Sequence, residues 1–470
     1  MVVGVRSYKP VIDNGRCNVC LVCVRGCPAE IIPAQRKEGT SQRGRVYQEY
    51  YKEIEPAPLV NIDKSFDWPP CQRACPIHQD IRGYVNLIGD KKYREALDLI
   101  RETNALPSVT GYVCTHPCEG ECIRCGVDEP VSLKALKRFV ADFDDGRLTP
   151  LKASREKGRK VSIIGSGPCG LTAAYDLAKE GYQVDIIEAL SEPGGMLRWA
   201  IPLFRLPRYI LDRDIKYIEK MGVTIKTGLR FGVDVTLSDL RKNGTDAVII
   251  AIGTHQSLKV GIENEGNISG YIDSLTFLRK YASGEQIDLG DKVIVVGGGN
   301  EAIDATRAAV RCGAREVAMF YRRSYEEMPA DKDEVKEGET EGVKINYLAA
   351  PVRIIGKDGK VQGLEFIKTK LGEPDESGRR RPVPIKGSEF VVSASSIISA
   401  IGQQPDLSWN QENLPFKFSP KNTFVVDDDC STNIEGVFAA GDAVNGPTVI
   451  VEAMASGKRV ARFVDLYLSN

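Results

Sequence analysis

Residues 160–188 read KVSIIGSGPCGLTAAYDLAKEGYQVDIIE, and this stretch decides the fold. A β-branched run at residues 161–164 leads into a glycine-rich turn, a helical pattern follows, and a second apolar run ends on Glu188. A G-x-G-x-x-G turn between a strand and a helix, with an acid about 20 residues later, is the fingerprint of a dinucleotide-binding βαβ unit. The sequence therefore predicts a dinucleotide site here.

The turn itself is Gly165-Ser166-Gly167-Pro168-Cys169-Gly170. Gly165 permits the tight turn, Gly167 lets the backbone approach a pyrophosphate, and Gly170 lets the helix pack closely on the strand. Pro168 lies where the helix starts, and the N-terminus of that helix presents free N–H groups and a partial positive charge to the phosphates.

A second fingerprint follows at residues 292–321. A strand leads to Gly297-Gly298-Gly299-Asn300-Glu301-Ala302, and a helix and another strand come after it. The two fingerprints differ at their ends. Glu188 can accept hydrogen bonds from a ribose 2′-hydroxyl and repels a 2′-phosphate, whereas Arg322 and Arg323 can bind a 2′-phosphate. The pattern predicts two dinucleotides of different type, the second being NADP(H), with NAD(H) and two solvated surface arginines as the alternative.

Composition restricts the remaining function classes. The 470 residues suffice for about three domains. Lys and Arg (63) nearly balance Asp and Glu (64), which favours neither nucleic acid nor an anionic membrane surface. No apolar run approaches the roughly 18 residues that span a bilayer, and the first residues lack the apolar region of a signal peptide. We expect a cytoplasmic protein without membrane insertion.

Cysteines concentrate in the N-terminal third, where ten of the thirteen lie before residue 126. Residues 17–28 carry the spacing C-x2-C-x2-C-x3-C-P, which is typical of a bacterial ferredoxin cluster run. Zinc is the alternative, although its sites usually present two separated cysteine pairs. Clustered cysteines in a cytosolic enzyme more often bind metal or carry redox chemistry than form disulfides.

A second cysteine group repeats the C-x3-C-P ending and adds four cysteines within twelve residues, interrupted by charged side chains that exclude a packed core. Ten thiols fill two four-cysteine clusters with two left over. A third cluster would need other ligands such as His78 or His116, which more often form hydrogen bonds than ligate. We favour two [4Fe-4S] clusters, with three as the alternative. The candidate ligands are Cys17, Cys20, Cys23, Cys27, Cys71, Cys75, Cys114, Cys118, Cys122 and Cys125.

Two buried-strand patterns that end in glycine, at residues 246–253 and 399–402, indicate where the chain leaves one domain and later returns. The acidic run at residues 331–341 is interpreted as a solvated helix face, and Arg379-Arg380-Arg381 as a hairpin tip.

These pieces, in this order, resemble the two-dinucleotide-binding flavoproteins, in which an FAD domain is interrupted by an NAD(P) domain. With the cysteines, the chain is similar to the glutamate synthase small subunit, the large subunit of the bifurcating ferredoxin:NADP transhydrogenase and the N-terminal part of dihydropyrimidine dehydrogenase. The resemblance covers residues 66–470. It rests on CPIHQDI (75–81), NALPSVTGYVCTHPCEGEC (104–122), VSLKALKRF (131–139), GGMLRWAIPLFRLP (194–207) and YRRSYEEMPA (321–330).

The resemblance implies an α/β fold with two Rossmann-like domains after a mainly helical iron–sulfur domain. The expected ranges are 1–150 for the iron–sulfur domain, 151–255 and 399–470 for the FAD domain, and 256–398 for the NAD(P)H domain. Expected FAD contacts are Gly165, Gly167, Pro168, Gly170, Glu188, Gly194, Gly195, Arg198, Gly441, Asp442 and Thr448. Expected nicotinamide-dinucleotide contacts are Gly297, Gly299, Asn300, Glu301, Ala302, Arg322 and Arg323.

The sequence departs from the family at two places. Trp68-Pro69-Pro70 stands where relatives have a C-x2-C, and Lys137-Arg138 stand where some relatives supply a glutamine or glutamate ligand. The added cysteines, Cys125 and those at residues 17–27, would replace missing ligands or supply a further relay site.

The implied function is an oxidoreductase subunit that moves electrons between NAD(P)H, FAD, [4Fe-4S] clusters and a partner. A redox subunit or ferredoxin is the expected partner, in a hetero-oligomer. A bifurcating flavoprotein and a non-catalytic assembly subunit are the alternatives. No catalytic acid, base or nucleophile is predicted, because the organic step belongs to the cofactors. Disulfide chemistry is not expected, since Cys169, Cys312 and Cys430 are isolated in the sequence and are interpreted as buried small apolar side chains.

Overall fold

The computed structural model describes residues 3–6, 9–12, 68–144, 156–266, 268–375 and 377–469. The chain forms two compact units, residues 1–147 and residues 148–470. The predicted cluster run at residues 17–27 lies outside the described residues. Near the N-terminus, strands β1 (Val3–Arg6) and β2 (Lys9–Ile12) form an antiparallel pair.

Residues 68–144 of the first unit are mainly helical, as expected. Their elements are α1 (Pro70–Ala74), α2 (Ile81–Gly89), α3 (Tyr93–Arg101), α4 (Pro107–Val113), α5 (Pro117–Gly120), a 3-10 turn (Ile123–Gly126) and α6 (Leu133–Asp142). The helical pattern at residues 82–101 is divided into α2 and α3, because Asp90 caps α2 and Lys91 adopts a positive φ of 59°. Tyr84, Leu97 and Val140 lie in its buried interior.

The second unit contains two five-stranded parallel sheets. The first has the order β17-β6-β3-β4-β5 and consists of β3 (Lys160–Ile164), β4 (Gln183–Ile187), β5 (Thr224–Lys226), β6 (Ala247–Ile250) and β17 (Val437–Ala439). Its helices are α7 (Pro168–Lys179), α8 (Met196–Trp199), α9 (Arg208–Lys220), α10 (Leu237–Lys242), α14 (Asp442–Asn445) and α15 (Ile450–Ser469). The central strand β3 is almost entirely buried, which explains its unbroken apolar run.

The second sheet has the order β11-β10-β9-β15-β8. Its strands are β8 (Tyr271–Asp273), β9 (Lys292–Gly297), β10 (Glu316–Tyr321), β11 (Lys344–Tyr347) and β15 (Ser396–Ala400), with helices α11 (Ser274–Ala282), α12 (Asn300–Arg311) and α13 (Lys332–Thr340). An antiparallel sheet of β12 (Ala349–Lys357), β13 (Lys360–Pro374) and β14 (Arg380–Ser393) is inserted before β15.

Two short strands join the sheets. β7 (Gln256–Ser257) leaves the first sheet, β16 (Gln403–Gln404) returns from the second, and the two strands pair with each other. The first sheet is therefore interrupted by the second, and the predicted fold class is confirmed. The expected domain boundaries stay predictions, although β15 places residues 399 and 400 in the second sheet. No helix in the described part of the chain is long and apolar enough to cross a bilayer.

Candidate functional site

A cavity of about 380 Å³ opens at the first sheet, where β3, β4 and β6 reach their carboxyl ends. Its walls include the fingerprint turn, Glu188, Gly195, Asp442 and Thr448. In open parallel sheets, ligands bind in this crevice beyond the carboxyl ends of the strands. Most of the FAD contacts expected from the sequence are thus brought together around one space.

The glycines of the first turn have different steric surroundings. Gly165 has a φ of 103°, and a Cβ atom there would lie 2.5 Å from the carbonyl oxygen of Ala251. A Cβ atom on Gly170 would lie 2.0 Å from the carbonyl oxygen of Gly165. Gly167, the N-cap of α7, would meet no atom within 4 Å, and Pro168 is the first helical residue. Gly165 and Gly170 serve backbone packing, whereas Gly167 borders open space, as its expected role requires.

Glu188 is held in place at the end of β4. Its side chain is only 6% exposed, and Oε2 accepts hydrogen bonds from the Ser166 backbone N–H at 3.0 Å and from the Ser166 hydroxyl. Oε1 accepts from the Leu190 N–H at 2.8 Å. A carboxylate oxygen accepts about two hydrogen bonds, so Oε1 retains capacity for a ribose hydroxyl.

Gly194 and Gly195 form a loop that lies directly on the fingerprint turn. Their φ values are 125° and 53°, and a Cβ atom on Gly195 would lie 2.8 Å from the Cα atom of Gly167. The Gly194 N–H donates to the Ser166 hydroxyl at 3.0 Å. Larger residues would therefore push the loop away from the pyrophosphate space.

Arg198, like Gly170, Gly194 and Gly441, does not line the cavity, and its guanidinium is engaged within the protein. The side chain is 4% exposed, and Nε donates to the carbonyl oxygen of Pro193 at 2.6 Å. The guanidinium also pairs with Glu192 at 2.8 Å and with Asp212 on α9. Arg198 therefore connects the glycine loop to α9. Its contact with a cofactor stays a prediction.

Asp442 faces the cavity from the far side. Gly441, just before it, has a φ of 70°, and its N–H donates to the Ser456 hydroxyl at 2.8 Å. Asp442 Oδ1 accepts from the Thr448 hydroxyl at 2.6 Å and from the Thr448 N–H at 3.2 Å. Burial raises the pKa of Asp442 to about 6, although the bonds from Thr448 oppose the shift. Oδ2 has no hydrogen-bond partner among the described residues and is available to a ligand hydroxyl.

Sequence reasoning missed a polar group at the crossover strands, formed by His255, Arg279 and Asp406, all of which line the cavity. His255 Nδ1 lies 2.7 Å from Arg279 Nη2. Because a guanidinium only donates, Nδ1 accepts, and the proton of the neutral imidazole lies on Nε2. Burial, followed by the charge of Arg279, lowers the pKa of His255 to about 4. Two of these residues could have been predicted from their positions, because His255 and Asp406 each come soon after a strand end. Arg279 lies within a helix and gave no such signal.

The second fingerprint repeats the geometry of the first. A Cβ atom on Gly297 would lie 2.2 Å from the carbonyl oxygen of Ala400 and 3.0 Å from the Cβ of Ala302, which shows the close strand–helix packing. Gly299 is the N-cap of α12 and would meet no atom within 4 Å, as at Gly167. The expected nucleotide contact therefore has open space in front of its helix N-terminus.

Asn300 and Glu301 are engaged within the protein. The Asn300 side-chain oxygen accepts from the Asp331 N–H at 2.8 Å, and the Glu301 carboxylate accepts from the Ser274 hydroxyl. Burial raises the pKa of Glu301, while its hydrogen bonds from Ser274 and Gln403 oppose the shift. Their nucleotide contacts stay predictions.

Arg322 and Arg323 are separated by the fold. Arg323 is 4% exposed, donates from Nε to the carbonyl oxygen of Arg380 at 2.8 Å and pairs with Asp375 at 2.5 Å. Arg322 is exposed and has no carboxylate partner among the described residues. Although the residue as a whole is exposed, partial loss of water around the guanidinium, followed by repulsion from Arg323, lowers the pKa of Arg322. An anion beside Arg322 would offset that repulsion, while Arg323 is already engaged with the β13–β14 connection.

Six of the ten candidate ligands lie within the described residues, and all six are free thiols. They occur on successive short turns: Cys71 and Cys75 in and after α1, Cys114 after α4, Cys118 in α5, and Cys122 and Cys125 around the 3-10 turn. The run of Cys17, Cys20, Cys23 and Cys27 is not covered, so its ligand role stays a prediction.

The pKa shifts show which of these thiols lie close enough to influence one another. Burial raises the pKa of Cys118 to about 12, and while Lys137 opposes this shift, Cys114 and Cys75 add to it. Burial likewise raises the pKa of Cys71 to about 11, and Cys122 is the nearby thiol that adds to the shift. A metal ion or cluster would displace the thiol protons. Cys75, Cys114 and Cys118 are close enough for their charges to interact, as expected of cysteines that share a cluster.

The two histidines are accounted for by local contacts. His78 Nδ1 lies 3.3 Å from the carbonyl oxygen of Gln72, and its ring lies 4.4 Å from the ring of Trp68. His116 Nδ1 lies 3.6 Å from Glu119. Each histidine thus has a local contact, and whether either one ligates a cluster stays a prediction.

The isolated cysteines are single thiols. Cys169 and Cys430 are buried, as expected, whereas Cys312 is only partly buried beside the core of the second sheet. Burial raises the pKa of Cys169, which lies against Gly441.

Comparison with known proteins identifies the family. The family model described as pyridine nucleotide-disulphide oxidoreductase matches residues 159–457. The chain belongs to this family. A second model, described as dihydropyrimidine dehydrogenase domain II with a 4Fe-4S cluster, matches residues 66–147. The expected cofactors, FAD, a nicotinamide dinucleotide and [4Fe-4S], are thereby confirmed, while the number of clusters stays a prediction.

Three relatives refine the position within the family. The chain is 44% identical over 432 residues to the NADP(+)-dependent formate dehydrogenase subunit beta of Moorella thermoacetica, covering 86% of this chain and 60% of the relative. It is 42% identical to the NADPH-Fe(3+) oxidoreductase subunit beta of Geobacter sulfurreducens, covering 85% and 63%. It is 34% identical to the glutamate synthase [NADPH] small chain of Escherichia coli, covering 84% and 87%. The resemblance to the glutamate synthase small subunit is confirmed.

The chain spans only about 60% of the length of the first two relatives. All three are named as subunits or chains of larger enzymes. Among solved structures, FprA from Mycobacterium tuberculosis matches with a TM-score of 0.58 and 19% identity, covering 67% of this chain and 85% of FprA. That likeness supports the fold.

Proposed function

We propose that this family member is an NADPH-dependent electron-transfer subunit that supplies or withdraws electrons for a separate redox partner carrying its own substrate site. When bound, the nicotinamide, flavin and clusters supply the hydride and single-electron chemistry. The residues of the chain bind these groups, fix their spacing and exclude water.

One observation carries the choice of NADPH. The acid that ends the first fingerprint, Glu188, is buried and already accepts three hydrogen bonds, whereas the second fingerprint ends on the exposed Arg322 without a carboxylate partner among the described residues. A fixed carboxylate suits a ribose hydroxyl, and an available guanidinium suits a phosphate. The names of the relatives, which include NADP(+) and NADPH, support the same assignment.

We assign binding roles for FAD to the residues around the cavity. Gly167 and the N-terminus of α7 would receive the pyrophosphate, and Oε1 of Glu188 a ribose hydroxyl. Asp442 Oδ2 would accept a hydrogen bond from a polyol hydroxyl. The Nε2–H of His255 is a fixed donor, because its tautomer is set by Arg279.

The test is anaerobic purification of the full chain followed by cofactor analysis. We expect one FAD per chain and about eight iron atoms, since two cubanes hold four irons each. Flavin absorbance near 450 nm should fall on addition of NADPH and only slowly on addition of NADH. Zinc without iron, or equal rates with both nucleotides, would contradict the proposal. Isolation of the native complex would then show whether a redox subunit accompanies the chain.

A further inference from the structure

Arg205 lies on a loop that starts at the wall of the FAD cavity. Met196, Leu197 and Ile201 line that cavity, and the loop continues from them toward the second sheet. Arg205 follows four residues after Ile201, and its side chain is 11% exposed. Nη1 donates to both carboxylate oxygens of Asp304, at 2.9 and 2.7 Å, and Nε lies 2.9 Å from Glu334 Oε1. The loop therefore reaches from one domain into the other.

The partners of Arg205 belong to the helices of the second sheet. Asp304 lies on α12, two residues after Ala302, the last position of the second fingerprint. Its side chain is only 6% exposed. Glu334 lies on α13 and is 12% exposed. The helix that presents its N-terminus to the nicotinamide dinucleotide is thus connected by a buried ion pair to the wall of the FAD cavity.

The surrounding contacts extend this connection. Arg307 on α12 pairs with Glu334 at 2.5 Å and with Glu341 at 2.8 Å. Phe204, the neighbour of Arg205, packs beneath the Arg311 guanidinium, 3.8 Å from it to the ring centroid. A guanidinium over an aromatic face is an attractive contact. The acidic run that was interpreted as a solvated helix face is therefore partly a binding surface for this loop, which corrects that interpretation.

The apolar clusters of the described residues lie within one sheet or the other, and the Arg205 ion pair lies outside them. One core packs around Val248, Ile250 and Trp409 in the first sheet, and a separate core packs around Val295 and Ile303 in the second. The chain joins the two sheets through the short strands β7 and β16. The position of the second sheet relative to the first then depends on contacts such as that of Arg205, which lie away from the crossover.

We propose that Arg205 is a positioning residue for hydride transfer, which holds α12 and its bound nicotinamide dinucleotide in register with the FAD cavity. The inference rests on the NADPH-dependent function proposed above. Hydride transfer requires the reacting atoms to approach within about 3–3.5 Å, and a displacement of about 1 Å can reduce the rate by about a hundredfold. Arg205 contacts neither cofactor site directly and acts through the placement of α12.

The test compares Arg205→Met, Arg205→Lys, Asp304→Asn and the double variant Arg205→Met/Asp304→Asn in the full holoprotein. Arg353→Met is the matched control, because Arg353 pairs with Glu365 at 2.7 Å within one domain. Each protein is mixed anaerobically with increasing NADPH, and the limiting rate of flavin reduction and the apparent Kd for NADPH are measured. Thermal unfolding and FAD content are recorded in parallel.

We expect Arg205→Met to lower the limiting rate at least tenfold while changing the Kd for NADPH and the FAD content less than threefold. Arg205→Lys should recover part of the rate, since a charge remains. The double variant should regain thermal stability, because the buried Asp304 carboxylate is gone and Glu334 still pairs with Arg307, but it should keep the low rate. A purely structural role would restore rate and stability together. Limiting rates for Arg205→Met equal to those of Arg353→Met would overturn the proposal.

A second measurement does not depend on turnover. Hydrogen exchange at the amides of β7 and β16 should be faster in Arg205→Met than in Arg353→Met, because the two domains then lose one of the contacts that hold them together away from the crossover. Unchanged exchange would contradict the positioning role even if wild-type flavin were not reduced by NADPH. Failure of the wild type to react with NADPH would instead contradict the proposed function. The two failures are therefore distinguishable.

Discussion

Asp442→Asn should have opposite effects on the apoprotein and on FAD binding. The carboxyl group is largely buried, and burial raises its pKa from 3.8 to about 6. One pKa unit corresponds to about 1.4 kcal/mol, so a charged Asp442 costs the FAD-free protein about 3 kcal/mol at neutral pH. Asparagine resembles the protonated acid in shape and keeps an acceptor for Thr448. The FAD-free variant should therefore be more stable by about 2–3 kcal/mol at pH 7.5.

The pH dependence of this effect has a definite sign. A carboxyl with a raised pKa binds more protons in the folded state, so its contribution to stability is present below pH 3.8 and is lost as the pH rises through 6. Between pH 5 and pH 7.5 the FAD-free wild type should lose about 1.4 kcal/mol relative to Asp442→Asn. Groups elsewhere also titrate in this range, but they cancel in the difference between the two proteins.

FAD binding should change in the other direction. A hydrogen bond to a charged acceptor contributes about 1.5–3 kcal/mol, so loss of the charge at Oδ2 should weaken FAD binding about tenfold to a hundredfold. Urea unfolding of the FAD-free protein gives the stability, and fluorescence titration with FAD gives the affinity. Asp428→Asn, at an exposed position in the same domain, is the control. Equal stability of wild type and Asp442→Asn at pH 7.5, or a difference that does not change with pH, would refute the reasoning.

Two further predictions concern residues that only the structure distinguishes. Arg322→Gln should weaken NADPH binding tenfold or more and leave NADH binding unchanged, since it removes an available guanidinium; Arg323→Gln, the adjacent control, should mainly lower thermal stability because it leaves Asp375 unpaired. Equal losses for both nucleotides in Arg322→Gln would contradict the phosphate role. The wild type should lose stability at low pH, and the His255→Asn variant should not show this loss. The wild-type contribution is complete above pH 6.5 and is lost as the pH falls toward 4, because burial lowers the pKa of His255. Parallel unfolding curves for wild type and His255→Asn over that range would show that the histidine is not held neutral.

The sequence predicts the parts of the fold in which all the residues that pack together lie in one short segment. A glycine such as Gly170 is required because a strand, a turn and a helix meet within ten residues, and all three are visible in the same stretch. The same holds for Gly297 with Ala302. Short segments therefore sufficed to predict both fingerprint turns and the interruption of one sheet by the other.

The side-chain partners could not be predicted, because sequence spacing alone does not show which charged side chains meet in the fold. Arg198 carries a charge beside a glycine loop, which suggested a cofactor contact, yet Asp212 on the next helix and Glu192 engage it. The acidic run around Glu334 has the composition of a solvated helix. Its buried pairing with Arg205 depends on a loop more than a hundred residues earlier.

Arg322 and Arg323 show why this limit matters for function. They are adjacent and chemically identical, and consecutive residues at a strand end point to opposite sides. Which of the two is available to a phosphate is decided by Asp375, which arrives on a hairpin about fifty residues later and pairs with Arg323. On the proposed assignment, nucleotide preference does not follow from the fingerprint alone. It depends also on an inserted sheet that engages the Arg323 guanidinium and leaves that of Arg322 without a carboxylate partner among the described residues.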